Sequence, residues 1–377
     1  MSSLTNVHGH CEPEFDAVAD ALAANLADAA EIGEAVAVTI EGQPVVDLWG
    51  GHRDAARTAP WSHDTAACIF SVGKPIAALP LLALVDRGEL SLDDAVADYW
   101  PEYAQAGKEA TTIDHVVSHF AGVPGVFDAP RGSAYDWDAM IGAIEGQAPL
   151  WSPGSTGCYH TFTYGHLVGE IVRRASGKTL ARAVADEIAL PFDLDLAFGL
   201  DAGAQARCAE IVWTDGDPLM TAITDPETLI GRCWSSLPLG PGEETFNSPA
   251  FRAAVMPAFN CHGTARGVAG LFGFLAMNDG RLLSEAMLET AITERWRGAD
   301  ALGLDSRMAR GFRLANDYAP LSGNPRAFGH TGIGGALGFA DPDRRLGFGF
   351  TPNRLAPGPG MSPYAKRLVD AVATCLD

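Results

Sequence analysis

The sequence predicts an α/β unit combined with an all-α one: a sheet assembled from both ends of the chain, with a mainly helical segment inserted between. Two observations carry this. Short apolar β-type runs gather before residue 71 and again after residue 311, while the stretch between reads as helix and loop. The expected division puts residues 1–75 and 296–377 in the sheet unit and residues 76–295 in the insert. A chain of 377 residues is long enough for two or three folding units or one large fold with an inserted lobe.

Taken in order, residues 13–30 carry Phe15, Val18, Leu22, Leu26 and Ala29 at helical spacing, an amphipathic opening helix. Residues 34–40 and 44–49 are β-type runs joined at Glu41-Gly42-Gln43, a hairpin. A third run, 66–70, leads into an apolar helix over about 72–85. Ser91 and Asp94 have capping-box spacing, and Thr112 caps a helix through Val117 that ends at Ala121-Gly122. Residues 123–160 are rich in Gly, Pro and Trp and read as irregular loop, the type of segment that lines pockets. A strong helix is predicted over 159–175, stopped by Gly177. Residues 200–262 resist assignment because Pro218, Pro226, Pro238, Pro241 and Pro249 break any long element. Helices return over 265–277 and from the Ser284 cap to about Trp296. Four short runs follow (311–315, 327–331, 335–340, 346–352), then a closing helix over 362–376.

Composition narrows the function. Apolar residues make up 47 % and charged residues 19 %, a globular composition. With 26 basic against 47 acidic residues, the formal charge of −21 argues against nucleic acid and against an anionic membrane surface as partners. The acidic surface serves solubility. Seven scattered cysteines without Cys-x-x-Cys spacing suggest neither a disulfide framework nor a zinc site. The first residues show no basic and apolar targeting pattern, and no apolar run approaches membrane-spanning length. A cytoplasmic, reduced protein is expected, with nothing in the sequence to fix its oligomeric state.

Three motifs carry chemistry. Ser71-Val72-Gly73-Lys74 sits where the third β-run meets the apolar helix. Residues three apart share a helix face, so Lys74 reaches Ser71. At the helix N-terminus, free backbone N–H groups and the positive dipole end favour a developing oxyanion at Ser71. The same dipole and burial push the lysine toward its neutral, basic form. A serine N-cap followed by an unrelated lysine is the plainer alternative. Tyr159, in Cys158-Tyr159-His160-Thr161, is a candidate base beside Lys74, or else a packed aromatic. His330 opens His330-Thr331-Gly332-Ile333, where glycines at a strand edge admit a substrate close to backbone. There His330 donates to substrate or to Tyr159, or is simply a turn histidine.

In this order the motifs resemble the serine β-lactamase and penicillin-binding-protein superfamily, whose signatures include Ser-x-x-Lys and Lys-Thr-Gly. The text is most similar to the class C-like branch that includes the family VIII carboxylesterases. Residues 87–94 (RGELSLDD), 116–124 (VVSHFAGVP), 164–172 (YGHLVGEIV), 339–342 (FADP) and 351–354 (TPNR) extend the likeness from about residue 14 to 375. The resemblance implies a β-lactamase-like fold, with an antiparallel sheet from both termini flanked by helices, a helical insert, and the site at their interface. It implies Ser71 as acylated nucleophile, with Lys74 and Tyr159 sharing the general-base work and Tyr159 activating the deacylating water. The oxyanion hole would be the backbone N–H groups of Ser71 and Ile333. His330, Thr331 and Gly332 would bind substrate. Phe127, Trp151 and Trp234, from loop-like stretches, would shape the acyl or alcohol pocket. No metal or organic cofactor is implied.

Two departures from the family pattern select among activities. His330 stands where the family has lysine, and Thr161 where it has asparagine. The lysine helps hold a β-lactam carboxylate and the asparagine an acylamino group, so both losses weaken recognition of β-lactams and peptides. Ester chemistry survives them, because esters have the better leaving group. The sequence therefore points to a serine carboxylesterase acting on small to medium acyl esters. β-Lactamase, D-aminopeptidase, amide hydrolase or acyltransferase activity and a non-catalytic binding module are the alternatives. His119 and His166 read as structural, and Cys68 and Cys158 as small buried apolar residues.

Overall fold

The computed structural model describes residues 6–28, 31–214, 216–238, 245–358 and 360–376. Its frame is a nine-stranded antiparallel sheet drawn from both ends of the chain. The strands are β1 (Val7–Cys11), β2 (Gly33–Ile40), β3 (Gln43–Gly51) and, after the helical middle, six more. The small strands β4 (Ala67–Phe70), β5 (Leu196–Ala197) and β6 (Cys261–Gly263) form a second sheet in the order β4-β6-β5. The large sheet is completed by β7 (Trp296–Ala299), β8 (Asp305–Met308), β9 (Arg313–Leu314), β10 (Phe328–Thr331), β11 (Leu337–Asp341) and β12 (Leu346–Pro352). Its order is β1-β3-β2-β12-β11-β10-β9-β8-β7, so β12 returns to pair with β2 and closes the two chain ends into one sheet.

Alternation along β2 shows how the sheet is buried on both faces. Val36 and Val38 point to one side, into a core with Val18, Leu22, Phe348 and Leu368 from neighbouring strands and the two terminal helices, Asp16–Leu26 and Pro363–Leu376. Ala35 and Ala37 point to the other, against Ala265 and Ala269 of the Ala265–Met277 helix. That helix lies close because β12 offers no side chain there: a Cβ on Gly347 would come 2.2 Å from the Gly273 nitrogen, and one on Gly349 2.3 Å from the Ala265 carbonyl.

The middle of the chain is helical. The Gly73–Asp86 and Thr163–Ser176 helices cross in a core containing Ile76, Leu82, Val117, Leu167 and Ile171. Thr112 caps the Ile113–Val117 helix reciprocally: its hydroxyl accepts from the His115 N–H at 3.2 Å, and its own N–H donates to His115 Nδ1 at 3.2 Å.

Several expectations change. The expected 66–70 run does not extend the terminal sheet; β4 pairs with β6 instead. The Ser91 N–H does donate to Asp94 Oδ2 at 2.7 Å, but the bond closes a turn, and the next helix, Val96–Tyr99, begins only beyond it. Residues 123–160 contain a helix after all, Trp137–Gly146, which Asp136 caps by accepting from the Ala139 N–H. Tyr159 precedes its helix, which begins at Thr163. The Ser284-capped helix ends at Ile292, and Trp296 opens β7. Short helices occupy much of 200–262, among them Pro218–Thr224, with its proline in the first turn. Pro241, Ala29 and Ala30 lie outside the described residues.

Candidate active site

β4 ends on a forced turn. The register with β6 shifts between Cys68 and Phe70, and Phe70 takes a left-handed φ of 46°, a conformation that costs a non-glycine residue about 1–2 kcal/mol. Burial holds it there, with the rings of Phe246 and Phe259 at 6.3 and 5.2 Å. The turn delivers Ser71 just ahead of the Gly73–Asp86 helix, and no side chain caps that helix. The N-cap alternative for Ser71 therefore does not describe its hydroxyl.

Lys74, 1 % exposed, lies one helical turn on. Its Nζ stands 3.1 Å from Ser71 Oγ, 2.9 Å from the Thr161 carbonyl and 3.0 Å from the Ala258 carbonyl. Burial first, and then the Arg313 charge, hold its pKa well below the usual lysine range. A neutral amine has two N–H donors and one lone pair. The two carbonyls can only accept, so they take both N–H groups and leave the lone pair facing Ser71 Oγ.

The Cys158–Thr161 segment sets Tyr159 beside Ser71 and Lys74, whose Nζ is 4.6 Å from the phenol ring centroid. The segment is pinned by buried histidines. His160 donates from Nδ1 to the Cys158 carbonyl at 2.7 Å and accepts at Nε2 from the Val123 N–H at 3.1 Å. His119 Nδ1 accepts from the His160 N–H at 3.1 Å, and its ring stacks on Tyr164 with centroids 4.5 Å apart. Burial lowers both imidazoles, His160 to about 4 and His119 well below its usual value. Asp300 completes the frame by accepting the Tyr159 N–H at 2.8 Å.

His330, in β10, is 2 % exposed. Its Nδ1 lies 2.7 Å from the Thr331 carbonyl, so that nitrogen carries the hydrogen. Burial, then Arg313 and Lys74, keep the ring neutral. Nε2 is thus an acceptor, and the Tyr159 hydroxyl, 3.3 Å away, donates to it. The expected direction, histidine donating to tyrosine, is reversed. Burial also pushes the Tyr159 phenol up, so the resting residue keeps its proton.

After β10 the chain passes tightly against the β4 backbone: a Cβ on Gly332 would sit 2.5 Å from the Ile69 carbonyl oxygen. Glycine here brings Ile333 to the same cavity as Ser71. That cavity is lined by Ser71, Tyr159, His330, Thr331, Gly332 and Ile333 among the residues expected at the site. Trp234 also lines it, packed edge-on to Phe259 at 4.8 Å. Phe127 and Trp151 are not in its lining; Phe127 carries the Arg232 guanidinium on its face at 4.3 Å.

Three contributors escaped the sequence reading. Asp300 holds the Tyr159 backbone, and Arg313 and Tyr318 line the cavity. A charge inside the apolar run 311–315 was the available signal for Arg313. Thr161 lines the cavity with its hydroxyl buried and without a partner among the described residues, while its carbonyl serves Lys74. Among the described residues no cluster of three or more His, Cys, Asp or Glu side chains is arranged to hold a metal ion. No helix among them is long and apolar enough to cross a membrane.

Comparison with known proteins agrees with this geometry. The Beta-lactamase family model matches residues 18–373. The chain is 30 % identical to Esterase/beta-lactamase LipL of Mycobacterium tuberculosis, over 95 % of this chain and 86 % of the relative. Among solved structures it resembles a family VIII carboxylesterase, with a TM-score of 0.88 and 35 % identity over 98 % of this chain and 99 % of the other. It also resembles a penicillin-binding-protein homologue from Caulobacter crescentus, with a TM-score of 0.87 and 36 % identity over 98 % and 99 % of the two chains. With the family model spanning nearly its whole length, the chain belongs to the beta-lactamase family of hydrolases.

Proposed function

We propose that the protein is a serine carboxylesterase that hydrolyses small to medium acyl esters through an acyl-enzyme on Ser71. The observation that carries this reading is the 3.1 Å approach of Lys74 Nζ to Ser71 Oγ, its other two partners being the Thr161 and Ala258 carbonyls, which can only accept. In this reading Lys74 takes the serine proton as Oγ attacks the ester carbonyl. The backbone N–H groups of Ser71 and Ile333 stabilise the oxyanion. The proton then passes to the departing alkoxide, Tyr159 assisting, and the acyl group stays on Ser71. Water then attacks the acyl-enzyme, giving its proton to the Tyr159 oxygen as the phenol passes its own proton to the neutral Lys74; the lysine returns that proton to Ser71 Oγ as the acid departs.

What the cavity presents supports ester rather than amide cleavage. His330 is neutral and already committed to Tyr159 and to the Thr331 carbonyl. Thr161 offers a single hydroxyl where an amide would offer both a donor and an acceptor. The names of two relatives, family VIII carboxylesterase and esterase/beta-lactamase, support the same choice. The last of these also keeps β-lactam hydrolysis as the second reading.

The discriminating assay compares p-nitrophenyl acetate or butyrate with a chromogenic cephalosporin. The esterase reading predicts turnover of the p-nitrophenyl esters and a kcat/KM at least a hundredfold lower on the cephalosporin. The reverse order would favour the second reading. We further propose that residues 1–75 with 296–377 and residues 76–295 act as two lobes, and that the protein works in the cytoplasm, where its seven free cysteines stay reduced.

A further inference from the structure

The cavity holds a buried cation that pairs with no carboxylate among the described residues. Arg313, in β9, is 2 % exposed and forms part of the cavity wall. Its Nη1 donates to the Asp305 carbonyl at 3.3 Å and its Nη2 to Ser306 Oγ at 3.5 Å, both at the long end of hydrogen bonding. Its Nε is buried without an acceptor. Among the described residues none of the ion pairs includes it; the arginines nearby in sequence, Arg307 and Arg310, pair with Glu294 and Asp114. Asp300 acts on it only from a distance, because its oxygens accept the N–H groups of Tyr159, Leu302 and Leu304.

Among the described residues that line the cavity, none supplies a negative charge. The guanidinium carbon is 5.7 Å from the Tyr159 ring centroid and 5.3 Å from that of Tyr318. Both phenols are pushed up by burial and stay protonated. Lys74 and His330 are held toward their neutral forms, partly by Arg313 itself. Arginine cannot escape burial by losing its proton. A desolvated, half-bonded guanidinium is costly unless a counter-charge completes it. Its planar fork suits a carboxylate, which accepts two parallel N–H bonds.

We propose that Arg313 binds a carboxylate of the substrate, so that the preferred esters are anionic, with half-esters of dicarboxylic acids as the representative class. This rests on the esterase reading and names the substrate class of that site. In a protein carrying a formal charge of −21, a cation in the cavity wall also attracts an anionic substrate at close range.

The test compares mono-p-nitrophenyl glutarate with p-nitrophenyl pentanoate, which match in acyl length and differ in the terminal carboxylate. A second arm, 3-acetoxybenzoate against phenyl acetate, puts the charge on the alcohol side. The wild type is expected to prefer the anionic ester at least tenfold in kcat/KM in one arm, mostly through KM. Arg313→Met should lose that preference and Arg313→Lys should retain part of it. Ratios near one, or a preference for the neutral ester, in both arms of the wild type would overturn the proposal even if the variants fail to fold. Should pentanoate and phenyl acetate be cleaved while the ratios stay near one, the esterase reading stands and only the carboxylate proposal falls. If no ester is cleaved, protection of Ser71 from a fluorophosphonate probe decides. Protection by glutarate and not by glutaramide supports carboxylate binding at Arg313; equal protection or none overturns it.

Discussion

Lys74 Nζ approaches Ser71 Oγ to 3.1 Å while both of its other partners, the Thr161 and Ala258 carbonyls, are pure acceptors. A neutral lysine so placed has its lone pair left for the serine proton. Activity should therefore rise with pH as Lys74 loses its proton, with the midpoint below the ordinary lysine range because burial disfavours the ammonium. Lys74→Arg, always charged, and Lys74→Met should each lower kcat/KM about a hundredfold to ten-thousandfold. A variant retaining more than a tenth of wild-type activity would remove the lysine from base catalysis.

Tyr159 and His330 share one hydrogen, donated by the phenol. His330 is held neutral well below its usual value, so the pH–rate profile should show no limb near the ordinary histidine pKa of about 6.5. Tyr159→Phe should slow steady-state turnover about a hundredfold or more without loss of thermal stability. A limb near 6.5 that disappears in His330→Gln would show that the imidazole titrates in the working range.

Gly332 makes the contact between β10 and the strand that carries the nucleophile. In Gly332→Ala the new Cβ would lie 2.5 Å from the Ile69 carbonyl, a backbone atom that cannot rotate away. Relief requires Ile333 to shift relative to Ser71. A stability loss of about 1–3 kcal/mol is expected, with kcat reduced more than KM is raised. Unchanged kinetics would separate this loop from oxyanion binding.

Two buried carboxyls, Glu31 and Glu34, are expected to make stability depend on pH. Glu34, fully buried in β2, faces Asn25 and no cation that pairs with it among the described residues, and burial and then Glu31 raise its pKa well above the usual value. Glu31 is raised to about 7, again chiefly by burial. Acids raised on folding stabilise the native state below their unfolded pKa, and that contribution is lost as pH climbs through the folded value. Stability should therefore fall between about pH 4.5 and 7 and continue to fall as Glu34 titrates. Glu34→Gln should flatten this dependence and raise Tm at pH 8 by about 2–4 °C. An identical Tm slope in both proteins would contradict it.

What the sequence made legible were the features that depend on local spacing. The Ser71–Lys74 pair follows from helical periodicity, and the Ala265–Met277 helix from an uninterrupted apolar pattern closed by Asn278 in the left-handed region. Elements whose stability comes from distant partners were hidden. β1 is an exposed strand that gains its hydrogen bonds from β3, and Trp137–Gly146 sits among glycines and prolines that mask its cap. Arg313 was absorbed into an apolar run, because only the fold shows that no carboxylate among the described residues pairs with it. Its guanidinium supplies from β9 a cation in the cavity, where the residue at 330 is a neutral histidine. Phe127 and Trp151 look like pocket aromatics by composition, yet only Trp234 of the three lines the cavity, because loop composition carries no direction.

The most direct test of the account is intact-protein mass spectrometry on wild type and Ser71→Ala during turnover of p-nitrophenyl acetate, quenched in acid within milliseconds. The account predicts an acetyl adduct on the wild type, mapped to Ser71, and neither adduct nor p-nitrophenol release above background with the variant. An acetyl group that persists in Ser71→Ala with undiminished turnover would contradict it and assign the nucleophile elsewhere.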